Sequence, residues 1–515
     1  MAERGLPVER SIRCLLSILT LPGSDRLLTP RHLAALAQCP RRLWLEIYHP
    51  ELARATPHFE SAPFDIHELA REQEGTGTRL GPHQNHVTAL RRTRQILAAG
   101  HPGPIFEARF DHEGLVADVD LLIRDPLAPG RWRLHAVLRT TKPKPQHVAR
   151  LAAQMWIVEQ CGLPISRARI RHIAPDFVLD TPGEYRGLFT DTDVTASARA
   201  QQSDMADLLG EARRIVAGPE PDCPTGPHCR KPAPCPFAAH CQALEDAPEW
   251  PVTLLPDGGG RKWARKGVWD LLELDAATMA KPREARIVAA TQSGTPFHDA
   301  QGARRAMGSW NCPRAWLDFE TIAASVPLWA GTRPYQQVPF QFSLHLEQAD
   351  GTVTHHQYLC VDGSDPRPGC AEALARTIPP NATIIAYNAG FERAILRALA
   401  RQVPAFEAPL MALAERTVDL LPVTRNHWYH RDQRGSWSIK AVLPTIAPEL
   451  AYTQLAVQDG AMAQDSFLEA SSPATSPERR RALEEALRAY CTRDTWAMVV
   501  LARRLAAPQE GNAND

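Results

Sequence analysis

Ala315-Trp-Leu-Asp318-Phe-Glu320-Thr is the stretch on which the reading of this chain turns. An apolar, aromatic-bearing run of this length reads as a buried strand. Side chains two apart on a strand project from one face, so Asp318 and Glu320 point together into one pocket. Downstream, the apolar Ile384-Ile-Ala386 reads as another central strand and leads into Tyr387-Asn-Ala-Gly-Phe391-Glu392, which sets Glu392 at the start of a helix. Tyr490-Cys-Thr-Arg-Asp494 puts a phenol and an acid four apart, on one helix face. That helix carries its own start signals: Ser476 can cap it, Pro477 fits its first position, and Arg479 through Leu505 keeps helical periodicity without a breaker. Asp318, Glu320, Glu392 and Asp494 are hard oxygen donors of the kind Mg²⁺ or Mn²⁺ prefers.

Together these three segments resemble the exonuclease motifs of DnaQ-like, RNase H-fold 3'-5' exonucleases: an Asp-x-Glu strand, an Asn-x-x-Phe-acid helix start and a Tyr-x-x-x-Asp helix. The tyrosine points to the DEDDy subclass. Glu392 departs from the Asp usual in that superfamily, though a carboxylate one methylene longer still reaches a metal. The resemblance implies two divalent cations on Asp318, Glu320, Glu392 and Asp494, with Tyr490 orienting the attacking water, and two metals can stabilise both ends of an in-line displacement at phosphorus. Asp419, in Thr417-Val-Asp419-Leu, is read as structural. Lys440, in Trp437-Ser-Ile-Lys440, lies where related enzymes place a segment near substrate; it is either a phosphate contact or a plain surface lysine.

With 515 residues the chain is long enough for two or three domains. Its 58 basic residues balance 58 acidic ones, so no global positive field advertises nucleic acid. A metal-built site brings its own positive charge, so this balance excludes nothing there. No apolar run approaches a membrane span, and the short Cys14-Leu-Leu-Ser-Ile-Leu-Thr-Leu stretch has no convincing cleavage site, so a cytoplasmic location is expected. Eleven cysteines in such a chain argue for metal ligation and buried thiols rather than a disulfide framework.

Four of those cysteines, Cys223, Cys229, Cys235 and Cys241, recur every six residues in a Pro-rich segment with little to form a core. A closed zinc site made of these four is one reading. The other begins at Cys39, in Leu28-Thr-Pro-Arg-His-Leu-Ala-Ala-Leu-Ala-Gln-Cys39-Pro-Arg-Arg-Leu-Trp-Leu, which resembles the opening of the iron-sulfur branch of RecB-type nucleases. That resemblance implies a [4Fe-4S] cluster on Cys39, Cys229, Cys235 and Cys241, with Cys223 spare.

The middle of this first region supports the resemblance and then breaks it. Phe106 to Ile123 reads as two strands around Gly114, Trp132 onward as the next, and a helix containing Gln154 follows. RecB-type nucleases need an Asp on one strand and Glu-x-Lys on the next. This chain keeps Asp118 and Asp120 but has Ala136 and Leu138 at the Glu and Lys positions, and neither can hold a metal or donate a proton. Unless His135, Arg139 or Lys142 substitutes, the first domain is expected to be catalytically dead. His67 is either an additional ligand or an ordinary helix-surface histidine.

The expected organisation is α/β throughout: a RecB-like domain over 1–245, a linker and small helical region over 246–310, a DnaQ-like domain over 311–507 and a disordered tail over 508–515. The Pro- and Gly-rich Glu249 to Gly260 underlies the linker. The basic Arg261-Lys-Trp-Ala-Arg-Lys-Gly267 that follows is either a polar connector or a small DNA-gripping turn. Over nearly its full length the chain resembles a bacterial family catalogued as domain of unknown function 2779. The combination implies a two-module nuclease-like protein of DNA repair or defence. The expected activity is a metal-dependent 3'-5' exonuclease on single-stranded nucleic acid, DNA more than RNA, with a non-catalytic nucleic-acid-binding scaffold as the alternative.

Overall fold

A computed structural model describes residues 26–54, 64–81 and 85–508. The stretch from Cys14 and nearly all of the expected tail lie outside the described residues. The two larger of the three sheets among the described residues are flanked by helices, the α/β class expected, and the chain divides into two compact units.

Residues 1–56, 64–245 and 325–335 make up the first unit. After helices α1 (Pro30–Gln38) and α2 (Pro40–Tyr48) comes a six-stranded sheet in simple chain order: β1 (Thr78–Arg79), β2 (Ile105–His112), β3 (Leu115–Arg124), β4 (Trp132–Leu138), β5 (Ile165–Ile173) and β6 (Phe189–Asp193). The strands β2, β3 and β4 are antiparallel, whereas β4 and β5 run parallel. A parallel neighbour needs a crossover, and α3 (Pro145–Gln160) supplies it. Its Leu151, Ala152, Met155 and Val158 are fully buried in a core with Leu134, Ala168 and Ile170.

The second unit takes in residues 246–324 and 336–515. Its five-stranded sheet has β7 (Arg314–Ile322) at the centre. On one side β7 pairs antiparallel with β8 (Val338–Glu347), which pairs antiparallel with β9 (Val353–Leu359); on the other it pairs parallel with β10 (Thr383–Ala386), followed by the parallel β11 (Thr417–Asp419). Alternation along β7 divides its residues between two cores. Ala315, Leu317 and Phe319 pack with helix α5 (Gly390–Gln402), through Ile395, Leu396 and Leu399. Trp316 faces the other way, onto Met498, Val499 and Leu501 of α6 (Pro477–Ala506). Ser476 caps α6 as expected, accepting from the Arg479 N–H at 3.2 Å, and Pro477 opens it.

Two boundaries differ from the sequence expectation. Residues 246–310 are not a connector: Trp250, Val252, Leu255, Leu271, Ile287 and Val288 are buried in the same core as Trp316 and α6. Ile287 and Val288 lie on helix α4 (Pro282–Ser293). The proline and glycine that suggest a linker instead build tight 3₁₀ turns around the buried Val252 and Leu255. Truncating such a buried side chain to alanine typically costs about 2–5 kcal/mol, so this segment is a structural part of the unit. Residues Ser325–Tyr335, between β7 and β8 in the chain, group with the first unit. There Leu179 and Gly331/Thr332 exchange backbone hydrogen bonds at 2.7 and 3.0 Å, and Arg139 Nη1 donates to Ser325 Oγ at 3.1 Å.

Candidate functional site

β7 delivers Asp318 and Glu320 to one cavity of about 250 Å³ in the second unit, which Glu392, Tyr490 and Asp494 also line. Each arrives from a different element for a local reason. Glu392 is the third residue of α5, and the turn before that helix requires Asn388 at φ 69°, a left-handed position that asparagine tolerates better than most. Asp419 Oδ1 fixes this turn by accepting the Asn388 N–H at 3.0 Å while capping the next helix through the Leu421 N–H at 2.9 Å. Asp419 therefore positions and does not line the cavity, in line with its structural reading. Tyr490 and Asp494 sit mid-way along α6, one helical turn apart, both largely buried.

Electrostatically the arrangement is unfavourable as it stands. Burial, then the charges of Asp494, Glu320 and Glu392, push the Asp318 carboxyl well above its usual range. Burial and Asp494 push Glu320 up to about 8. Glu392 is raised to about 8, by burial and Asp419, and its Oε2 is buried without a hydrogen-bond partner. Asp494 is raised less, to about 6, because Tyr452 and Lys440 offset its burial. Asp318 and Glu320 oxygens, with the buried Cys491 thiol, lie within 4.8 Å of one another and form a group that could hold a metal. A divalent cation would relieve both the crowding and the orphaned Glu392 oxygen. The oxygen donors fit Mg²⁺ or Mn²⁺.

Lys440 lies in the same cavity rather than on a plain surface. Its Nζ donates to Tyr490 Oη at 2.7 Å and to the Gln458 carbonyl at 2.8 Å, and it sits 4.6 Å from the Tyr490 ring centroid. Sequence reasoning missed Tyr452, whose hydroxyl donates to Asp494 Oδ1 at 2.5 Å. It reaches the site from a 3₁₀ turn, where no periodic pattern could have signalled it. Phe391 is the cavity's exposed aromatic, 36% accessible.

In the first unit, the structure gathers the cysteines around the α1–α2 junction. Cys39 lies between the two helices, and Gln38 Nε2 ties down the cysteine-rich loop by donating to the carbonyls of His228 and Ala233, both at 2.7 Å. Cys223, expected to be spare beside a cluster on Cys39, Cys229, Cys235 and Cys241, is placed with its Sγ 3.6 Å from Cys39 Sγ, and Cys39, Cys223 and His228 form a second group that could hold a metal. Cys229 Sγ is 3.5 Å from His228 Nε2. Proline-directed turns fold the loop back on itself, so sequence order did not reveal which thiols meet. Burial and the neighbouring Cys39 and Cys229 push the Cys223 thiol up to about 11, and burial raises Cys235 and Cys241 as well. Five thiols and an imidazole suit a thiophilic centre, zinc or iron-sulfur.

The acidic residues of the first unit are arranged differently. Asp118 is engaged by Arg109 through two contacts of 2.7 Å, and Asp120 accepts the Val137 N–H at 2.8 Å with His67 Nδ1 3.6 Å away. Continuing the β3–β4 register one step beyond Leu121 and His135 brings Asp120 beside Ala136. His135 is buried next to Asp191 at 3.5 Å, and Arg139 donates to Ser325 Oγ at 3.1 Å.

Residues 315–438 match the family model described as Domain of unknown function (DUF2779). The matched stretch contains Asp318, Glu320 and Glu392 and ends before Tyr490 and Asp494. No curated protein matches the chain. Among the described residues no helix is long and apolar enough to cross a membrane.

Crowded, raised carboxyls destabilise the metal-free fold as pH rises. Each is ionised in the unfolded chain from about pH 4 upward but resists ionisation in the folded one until its raised value, so stability is lost across that window. At pH 8 in EDTA, Asp318→Asn is expected to raise the melting temperature by about 3 °C or more; with Mn²⁺ present the order should reverse. Calorimetry with and without the metal checks both signs.

Cys223→Ser is expected to lower the bound metal of anaerobically purified protein by at least half, whichever metal it is. Elemental analysis with a sulfide assay reads this loss and separates iron-sulfur from zinc.

Proposed function

We propose that the second unit is a metal-dependent 3'-5' exonuclease acting on single-stranded nucleic acid, DNA more than RNA. The observation that carries this reading is the convergence of Asp318, Glu320, Glu392 and Asp494 with Tyr490 and Lys440 in one cavity. The strand order, three antiparallel strands followed by two parallel ones, supports the DnaQ-like resemblance. The 3'-to-5' polarity rests on that resemblance alone.

Asp318, Glu320, Glu392 and Asp494 would hold Mg²⁺ or Mn²⁺, which supplies charge stabilisation to the attacking and leaving oxygens. The remaining groups follow from the hydrogen bonds. Tyr490 Oη, held by Lys440, is set to accept or donate to a water lined up against phosphorus. With two N–H groups spent on Tyr490 and Gln458, the Lys440 ammonium keeps a third for a non-bridging phosphate oxygen. Tyr452 keeps Asp494 oriented. Phe391 offers a face on which a terminal base can stack, a contact indifferent to sequence.

The first unit we read as a RecB-like module that positions substrate without cutting it. Its order of helices and strands supports the fold, and the Ala136 and Leu138 replacements support the loss of chemistry. The cysteine group is proposed to carry a [4Fe-4S] cluster, with Cys223 counted among its candidate ligands alongside Cys39, Cys229, Cys235 and Cys241. Such a cluster would join residue 39 to the far end of the unit and restrain it.

Degradation of 5'-labelled single-stranded DNA and RNA with Mn²⁺ tests the activity. Wild type is expected to produce a ladder from the 3' end, and Asp318→Ala to slow it at least 10³-fold while still binding the oligonucleotide. Binding without cleavage by either protein would replace the enzyme with the scaffold reading.

A further inference from the structure

The second unit has another cavity, of about 290 Å³, that the proposed chemistry does not use. Asp257, Lys281, Arg283, Glu284 and Arg286 line it. Its floor is built with care. Glu284 is only 1% accessible and pairs with two lysines, Lys262 at 3.2 Å and Lys281 at 3.1 Å, so two ammonium groups share one carboxylate. A turn with Asp257 at φ 56° and Gly258 at φ 72° brings Gly259 so close that a Cβ there would lie 2.3 Å from Glu284 Oε1. Any larger residue there would push the Glu284 carboxylate aside.

Arg286 is committed to the fold: it donates to the carbonyls of Pro282 and Asn426 and stacks over Phe297. Arg283 is not so committed. Its Nε is buried without a hydrogen-bond partner, and its guanidinium lies 5.8 Å from the Trp437 ring centroid. Burial and the nearby Arg283 push Arg286 below the usual arginine range, an effect that Asp299 only partly offsets. Three cations, Lys281, Arg283 and Arg286, thus line the cavity against two carboxylates, Asp257 and Glu284, and Lys262 also pairs with Glu284. An oxyanion is the ligand this imbalance selects, and arginine's planar fork suits phosphate.

Trp437 says which phosphate. It begins the segment Trp437-Ser-Ile-Lys440, whose Ile439 and Lys440 line the carboxylate cavity. Tyr387, which lines that cavity as well, donates its hydroxyl to the Trp437 carbonyl at 2.6 Å. Three residues reach about 10 Å at most, so the Trp437 ring near the Arg283 guanidinium belongs to the same short segment that lines the carboxylate cavity. We infer that the Lys281–Arg283 cavity seats a backbone phosphate of the same single strand, a few nucleotides upstream of the end held by the carboxylates. This rests on the exonuclease reading of the first cavity and gives that site an extended substrate in place of a free nucleotide.

The test uses the full-length protein and the double variant Lys281→Gln, Arg283→Gln, with equal melting temperatures as the folding control. In EDTA, fluorescence anisotropy against labelled oligonucleotides of increasing length is expected to show about tenfold weaker binding of the longer ones by the variant. The slope of log affinity against log salt should fall by about one. With Mn²⁺, wild-type kcat/KM should climb with length and then level off, while the variant loses about tenfold on long substrates and nothing on the shortest. Equal binding by the two proteins, or an equal loss of kcat/KM at every length, would overturn the seat. If neither protein cleaves but binding differs with length, the phosphate seat stands and the exonuclease reading falls.

Discussion

Four carboxylates held together out of water are the constraint around which the second unit is arranged. No fold adopts such a cluster for stability, because each acid raises the cost of charging the others. The surrounding structure over-determines their positions: a central strand fixes two, a helix start pinned by Asp419 fixes the third, and a thirty-residue helix buried along one side fixes the fourth. Lys440 and Tyr452 are the local compensation, and both act on the α6 pair. Arg393 and a backbone hydrogen bond offset only part of the rise at Glu392, whose Oε2 stays buried without a hydrogen-bond partner, as a group that could hold a cation would be.

Much of this was legible in the sequence because it rests on short periodicities. Asp318 and Glu320 share a face by the two-residue repeat of a strand, and Tyr490 and Asp494 by the helical turn. Asn388 and Asp419 could be placed near the site, but the hydrogen bond that links them is a tertiary contact. Tyr452 was invisible for a related reason: a 3₁₀ turn has no period long enough to read, and its partner lies 42 residues away. Residues 246–310 misled in the opposite direction. Proline and glycine mark turns, and a run of turns reads as a connector, whereas Trp250, Val252 and Leu271 alternate with them and bury against Trp316.

The two units contrast in how they treat their acids. In the first, Asp118 is spent on an arginine and Asp120 on a backbone amide, so both are satisfied by the protein itself. In the second, the acids are left to oppose one another. The thiols of the first unit bring like groups together with softer atoms: Cys39 and Cys223, from distant parts of the chain, lie 3.6 Å apart, and burial with the neighbouring thiols raises Cys223.

The central claim is that the carboxylate cavity exists to hold divalent cations. Anomalous diffraction from crystals of the full-length protein soaked in Mn²⁺ tests it most directly. The account predicts manganese peaks within bonding distance of Asp318, Glu320, Glu392 and Asp494, lost on Asp318→Asn. A cavity without manganese at saturating concentration would contradict it.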